Sequence, residues 1–170
     1  MFQTVHKSIE ISAPVEKVFS YLEEPSNELE WIESMTGIRN INGSGAGTHY
    51  ECSWKMAGVQ LHGETTRTED IPNERIVDET NGLGMSSWTY TLEPHGNTTI
   101  LDLELTYSLP EPVLRKLCKI ANQLISEQGE GVVYRNHVPL MAKLVDAFVV
   151  RHTEQEIEKD IQNIKERLEI

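Results

Sequence analysis

Residues 37–107 alternate apolar and polar side chains in successive short runs. A period of two puts every second side chain on one face, so each run reads as a half-buried strand. Tyr50, Cys52, Trp54 and Met56 alternate with His49, Glu51, Ser53 and Lys55. Val59, Leu61, Gly63 and Thr65 do the same against Gln60, His62 and Glu64. Trp88, Tyr90 and Leu92 make one face of a further run, and Leu101, Leu103, Leu105 and Tyr107 one face of the last. Between runs stand Asn42-Gly43-Ser44-Gly45-Ala46-Gly47, Ala57-Gly58, Ile71-Pro72-Asn73-Glu74, Asn81-Gly82-Leu83-Gly84 and Pro94-His95-Gly96-Asn97, which carry the residues of tight turns. Links this short join antiparallel neighbours, so the pattern predicts a meander.

The flanks are helical. Residues 2–11 alternate loosely and end at Ser12-Ala13-Pro14, where Ser12 suits a helix cap and Pro14 a first turn. Val15, Val18, Phe19 and Leu22 then repeat at helical spacing, and a second short helix is expected over 27–32 with Leu29 and Trp31 as apolar anchors. After Pro110 and Pro112, the residues Leu114, Leu117, Ala121 and Leu124 form the stripe of an extra helix over about 113–128. A final helix starts near Pro139. Its first half is apolar on most sides (Leu140, Met141, Leu144, Val145, Phe148, Val149), with Lys143 and Asp146 as a surface pair. Its second half narrows to Ile157, Ile161, Ile164 and Leu168, and the charged run over 154–169 reads as a solvated face.

A length of 170 residues fits a single domain over 1–170. With 15 basic against 27 acidic residues the net charge is −12, which repels phosphate backbones and anionic lipid surfaces and argues against nucleic-acid binding. The longest apolar stretch, 138–150, is broken by Lys143 and Asp146 and is too short to span a bilayer, so stable membrane insertion is not expected. Cys52 and Cys118 stand far apart and suggest free thiols in a reducing compartment. The first ten residues lack a signal-peptide pattern, and a cytoplasmic location is the expectation.

The order strand, two short helices, six-strand meander and long C-terminal helix resembles the START-like, or SRPBCC, superfamily. Ile11-Ser12-Ala13-Pro14-Val15-Glu16-Lys17-Val18-Phe19 resembles the opening strand-to-helix junction of its polyketide cyclase/dehydrase and lipid-transport branch. Asp70-Ile71-Pro72-Asn73-Glu74-Arg75-Ile76 resembles its middle turn, Gly96-Asn97-Thr98-Thr99-Ile100 its last hairpin, and Ile161-Gln162-Asn163-Ile164-Lys165-Glu166-Arg167-Leu168-Glu169 its final helix end. The helix over 113–128 departs from the family pattern. The resemblance implies an α+β helix-grip fold: a curved antiparallel sheet wrapped around the long C-terminal helix, with two short N-terminal helices and a cavity under the sheet. The sequence fits such a cavity, since Tyr50, Trp54, Trp88 and Tyr90 share the inward space with Met141, Leu144 and Phe148. Cys52, Leu103 and Leu105 complete the expected ligand-binding wall.

Other chemistry is thinly represented. The glycine-rich stretch over 43–47 precedes a strand and lacks a Gly-Lys-Ser/Thr ending, so it reads as a hairpin loop and not a phosphate cradle. No two of His6, His49, His62, His95, His137 and His152 have metal-ligand spacing, and neither a metal nor a cofactor is expected. Cys52, on the apolar parity, reads as a packed thiol. Asp78, which shares parity with Ile76 and Thr80, and Tyr90 are the inward candidates for acid–base work.

With so few inward polar groups in view, the leading expectation is a non-catalytic binder or carrier of a small hydrophobic, lipid- or polyketide-like ligand. The alternative is a cyclase, aromatase or dehydratase on a poly-carbonyl chain, working without metal or cofactor. A weaker one is a protein-interaction module like the chaperone-activating relatives of this fold. An inward Arg or a carboxylate–Tyr pair deep in the pocket favours the enzyme; an unbroken apolar wall favours the carrier. The helix over 113–128 is expected to cover one mouth of the cavity, with a homodimer contact as its alternative.

Overall fold

The computed structural model describes residues 2–56, 58–109, 111–127 and 138–170. Seven antiparallel strands form one curved open sheet: β1 (Gln3–Ile11), β2 (Met35–Asn42), β3 (His49–Met56), β4 (Val59–Ile71), β5 (Arg75–Gly82), β6 (Met85–His95) and β7 (Thr98–Ser108). The spatial order is β1-β7-β6-β5-β4-β3-β2. The six strands after the first therefore run as the expected meander, and β1 closes against the last of them. The helices are α1 (Val15–Glu23), α2 (Glu28–Trp31), α3 (Glu111–Glu127) and α4 (Val138–Leu168), with a 3-10 turn at Pro25–Asn27 ahead of α2.

The alternation translates into one buried face. Leu101, Leu103, Leu105 and Tyr107 of β7 point inward beside Val5 of β1 and Tyr90 and Leu92 of β6. Against that face lies the stripe Ile157, Ile161, Ile164 and Leu168 of α4, each at most 3% exposed. Replacing Ile164, which is fully buried, by Ala is expected to cost about 2–5 kcal/mol in a denaturant titration. A cost under about 1 kcal/mol would mean that α4 is not docked on the sheet.

The ends of the chain are joined by specific hydrogen bonds. The Ser12 amide donates to Glu169 Oε1 at 2.7 Å, Lys17 Nζ to the Leu168 carbonyl at 2.7 Å and Lys165 Nζ to the Glu10 carbonyl at 2.8 Å. Ser12 is thus not the cap of α1. Pro14 occupies the cap position with no side-chain hydrogen bond, and Ser12 lies too far ahead of Val15 to reach the free amides of the first turn.

Three expectations about the helices need correction. Leu29 is 46% exposed, while Glu28 is only 7% exposed beside the buried Trp31 and Ile32. On a one-turn helix, positions 28 and 31 share a face and position 29 turns away from it. Phe148 is 49% exposed and stacks on His152 at 6.1 Å. The buried side of α4 is set by Val145, Val149, Thr153 and Ile157, and Phe148 stands about 100° around the helix from Val149. Third, α3 buries Val113 and Leu117 in the common core and contacts α4. None of its described side chains lines the cavity below, so the expected cover over that cavity is not what they form. The side chains of Ala121, Leu124, Leu140, Met141 and Leu144 lie outside the described residues.

Candidate functional site

Between the concave face of the sheet, α2 and α4 lies a cavity of about 100 Å³. Tyr50, Cys52 and Trp54 of β3, Asp78 of β5, Trp88 and Tyr90 of β6 and Leu105 of β7 all stand on its wall. Trp31 of α2 braces the aromatic side, with its ring edge-on to Trp88 at 6.3 Å and to Tyr90 at 6.2 Å. Gly63 makes room for the indole of Trp54: a Cβ there would sit 3.3 Å from Trp54 Cη2 and 2.8 Å from Thr80 Cγ2. The wall meets solvent at Met85, 54% exposed, and at the half-buried Met35, Met56 and Glu156. Methionine side chains re-pack easily, so this rim can adapt to what enters. Leu103, expected on the wall, is fully buried core instead. Phe148 is on the outside of α4, and Met141 and Leu144 lie outside the described side chains.

The scarcity of inward polar groups is overturned. Glu28 presents its carboxylate to the cavity and accepts a 2.5 Å hydrogen bond from the Tyr50 hydroxyl. Burial pushes the Glu28 carboxyl up to about 8, with Asp78 adding to the rise, while Tyr50 and the more distant Arg67 act against it. Tyr50 and Tyr90 are both held far above the ordinary phenol range, chiefly by burial, so they act as neutral donors. Asp160 of α4 faces the same cavity at 1% exposure. Its carboxyl is pushed up to about 7 by burial and the nearby Glu156 and Glu33, although Oδ1 accepts from the Glu33 amide at 2.9 Å. Two carboxyls that hold protons near neutral pH face a space walled mainly by apolar and aromatic side chains, with hydroxyls set among them.

Behind the wall, Arg67 of β4 is buried with its partner. Its Nε donates to Asp78 Oδ1 at 2.9 Å and a terminal nitrogen to Asp78 Oδ2 at 3.0 Å. The other terminal nitrogen donates to the Glu23 carbonyl at 2.8 Å and to Asp70 Oδ2 at 3.3 Å. Both oxygens of Asp78 are occupied by this fork, which makes Asp78 the counter-ion of Arg67 and leaves Glu28 and Asp160 better placed to exchange a proton. Cys52 is a packed thiol, 3.4 Å from the Thr65 hydroxyl and raised by burial.

Arg67, Glu28 and Asp160 escaped the sequence reading, though each left a signal. Arg67 continues the inward parity Leu61, Gly63, Thr65 by one more step. Asp160 is three residues after Ile157 and four before Ile164, on the buried stripe of a helix taken as charged and wet in its second half. Glu28 gave the least: only its spacing of three from Trp31 pointed inward.

A curved antiparallel sheet gripping a long C-terminal helix over a cavity defines the helix-grip class of folds. The chain belongs to the family described as polyketide cyclase / dehydrase and lipid transport, whose model matches residues 3–169. Solved structures agree on the fold. TTHA0849 from Thermus thermophilus superposes with a TM-score of 0.71 at 16% identity, covering 98% of this chain and 97% of that one. The Zhui aromatase/cyclase from Streptomyces sp. R1128 gives 0.68 at 15% identity, over 99% and 94% of the two chains. The di-domain aromatase/cyclase StfQ of the steffimycin pathway gives 0.69 at 13% identity, covering 99% of this chain and 52% of that one. No curated protein sequence matches significantly. No helix among the described residues is long and apolar enough to cross a membrane.

Proposed function

We propose that the protein binds a largely apolar molecule carrying a carbonyl or enol group and moves a proton on it, as a cyclase or dehydratase does. The observation that carries this reading is the buried Glu28–Tyr50 pair facing an apolar cavity. A general base works best when its pKa lies near the ambient pH, and the Glu28 carboxyl is raised to about 8. Ionised Glu28 takes a proton from carbon beside the carbonyl. Protonated Asp160, on the α4 side, donates to the oxygen where the negative charge collects. Asp160 then takes its proton back from the enol oxygen as Glu28 gives the first proton up: to another carbon, which completes a tautomerisation, or to a β-hydroxyl, whose C–O bond breaks and releases water. No step changes an oxidation state, so none needs an electron acceptor. The wall of Tyr50, Cys52, Trp54, Trp88, Tyr90 and Leu105 supplies apolar area and orientation. The family description and the aromatase/cyclase neighbours support this reading. An unbroken apolar wall would have suited a carrier of the same ligand; the buried ionisable groups favour proton transfer.

Solvent-deuterium incorporation beside the carbonyl of 2-tetralone, followed by NMR, tests the reading. The wild type is expected to accelerate exchange, with a rate that peaks between about pH 7 and 8 and falls on either side, as Glu28 keeps its proton below that range and Asp160 loses its own above it. Glu28→Gln, folded by its denaturant midpoint, is expected to lose about 10²–10⁴-fold of that rate. A wild type that binds an apolar dye yet exchanges tetralone at the background rate is a carrier.

A further inference from the structure

Five hydroxyl-bearing side chains stand on one rung of the sheet. Tyr50 lies opposite Thr65, Thr65 opposite Thr80, Thr80 opposite Ser86 and Ser86 opposite Tyr107. All five line the cavity. With strands about 4.8 Å apart, the rung runs roughly 19 Å along its Cα atoms. At one end the Tyr50 hydroxyl is taken by Glu28, and in the middle the Thr65 and Thr80 hydroxyls bond each other at 2.8 Å. The far end differs. Tyr107 is 5% exposed, and its hydroxyl has no hydrogen-bond partner among the described residues. Thr153 is near enough to hold down the rise that burial gives the Tyr107 phenol, but its own proton goes to the Val149 carbonyl at 2.8 Å and the two hydroxyls do not reach hydrogen-bond geometry. A buried hydroxyl left in this way is costly and uncommon in folded proteins, unless something else bonds it.

Tyr107 also borders a second cavity. A cleft of about 140 Å³ shares Tyr107, Ser108 and Leu109 with the first cavity and continues between Leu114 of α3 and Val149 of α4. Gln3 and Asp146 give it polar groups. Leu114 gives this cleft a wall from α3, the segment by which the chain departs from the plain order of strand meander and long helix.

We propose that the two chambers hold one extended ligand, with an oxygen along its length accepting a hydrogen bond from Tyr107 and its apolar end filling the cleft between Leu114 and Val149. The ligand class is a chain with a carbonyl or ether oxygen some way from the end that lies beside Glu28 and Tyr50. The inference rests on the first cavity being a ligand site, as proposed above, and adds the length and second oxygen of what it takes.

Displacement of an apolar fluorescent dye by ketones of six to twelve carbons, with the oxygen at C2 or mid-chain, tests it. In the wild type, affinity is expected to climb with chain length, and twelve-carbon mid-chain ketones to exceed their 2-ketone isomers. Leu114→Trp fills the cleft, so the ratio of twelve- to six-carbon affinity is expected to collapse. Tyr107→Phe is expected to erase the mid-chain preference, about 3- to 10-fold, and to raise the melting temperature because no hydrogen bond is lost in the empty protein. A length dependence that survives Leu114→Trp, or a Tyr107→Phe variant that melts lower and still prefers the mid-chain oxygen, overturns the inference. Short ketones that bind and exchange deuterium while longer ones gain nothing overturn it and leave the proposed function standing. Short ketones that fail to bind at all overturn both.

Discussion

Raising the pH from 5 to 9 is expected to cost this protein a few kcal/mol of folding stability, and Glu28→Gln is expected to remove much of that loss. Glu28 is raised from 4.5 to about 8 and Asp160 from 3.8 to about 7, in both cases mainly by burial. Between the unfolded and folded values the native chain binds more protons than the unfolded one, so stability falls as pH rises through that window. Below about pH 3 both groups are protonated in either state and their contribution is fully present. Above about pH 8 the loss has levelled off. A tenfold change in proton affinity is worth about 1.4 kcal/mol, and relaxation around a buried charge reduces the sum. Gln keeps the shape and still accepts from Tyr50, so Glu28→Gln isolates the charge. Denaturant midpoints at pH 5, 6, 7, 8 and 9 for the wild type, Glu28→Gln and Asp160→Asn read the effect. The two variants should each flatten part of the slope, with the Asp160 part ending about one pH unit lower. A wild-type profile that is flat or rising over this range would place both carboxyls in contact with water.

Arg67→Met is expected to cost about 3–5 kcal/mol, because it leaves Asp78 and Asp70 as buried charges without their cation. The double variant Arg67→Met with Asp78→Leu is expected to recover most of that loss, since what is costly is the stranded charge and not the absence of the pair. Equilibrium unfolding of the two single variants and the double variant gives the coupling energy directly. A coupling below about 1 kcal/mol would show that the Arg67–Asp78 fork is not a desolvated pair. The tie between Arg67 and the Glu23 carbonyl adds a second expectation. Arg67→Lys, which keeps the charge but not the planar fork, should retain only part of the stability.

The amino-acid sequence by itself determined the scaffold. Alternation over 37–107 with short turn segments leaves little choice but an antiparallel meander, because a period of two has only one way to bury half its residues. The stripe Ile157, Ile161, Ile164 and Leu168 fixed which side of α4 meets the sheet. Those local periods also put Tyr50, Cys52, Trp54, Trp88, Tyr90 and Leu105 on the cavity side. The chemistry of the cavity was decided elsewhere. Glu28 and Tyr50 are 22 residues apart, and Arg67 and Asp78 belong to different strands, so no local pattern announces either pair. Phe148 and Leu29 show the same limit from the other side: hydrophobicity alone sent them inward, and the rotation of their helices turned them out. Asp160 is both ionisable and buried because the packing of α4 fixes its orientation before its side chain has any say. Local sequence sets the period and therefore the face. Only the docking of α2 and α4 onto the curved sheet decides which charged groups are carried out of water, and with that their proton affinities.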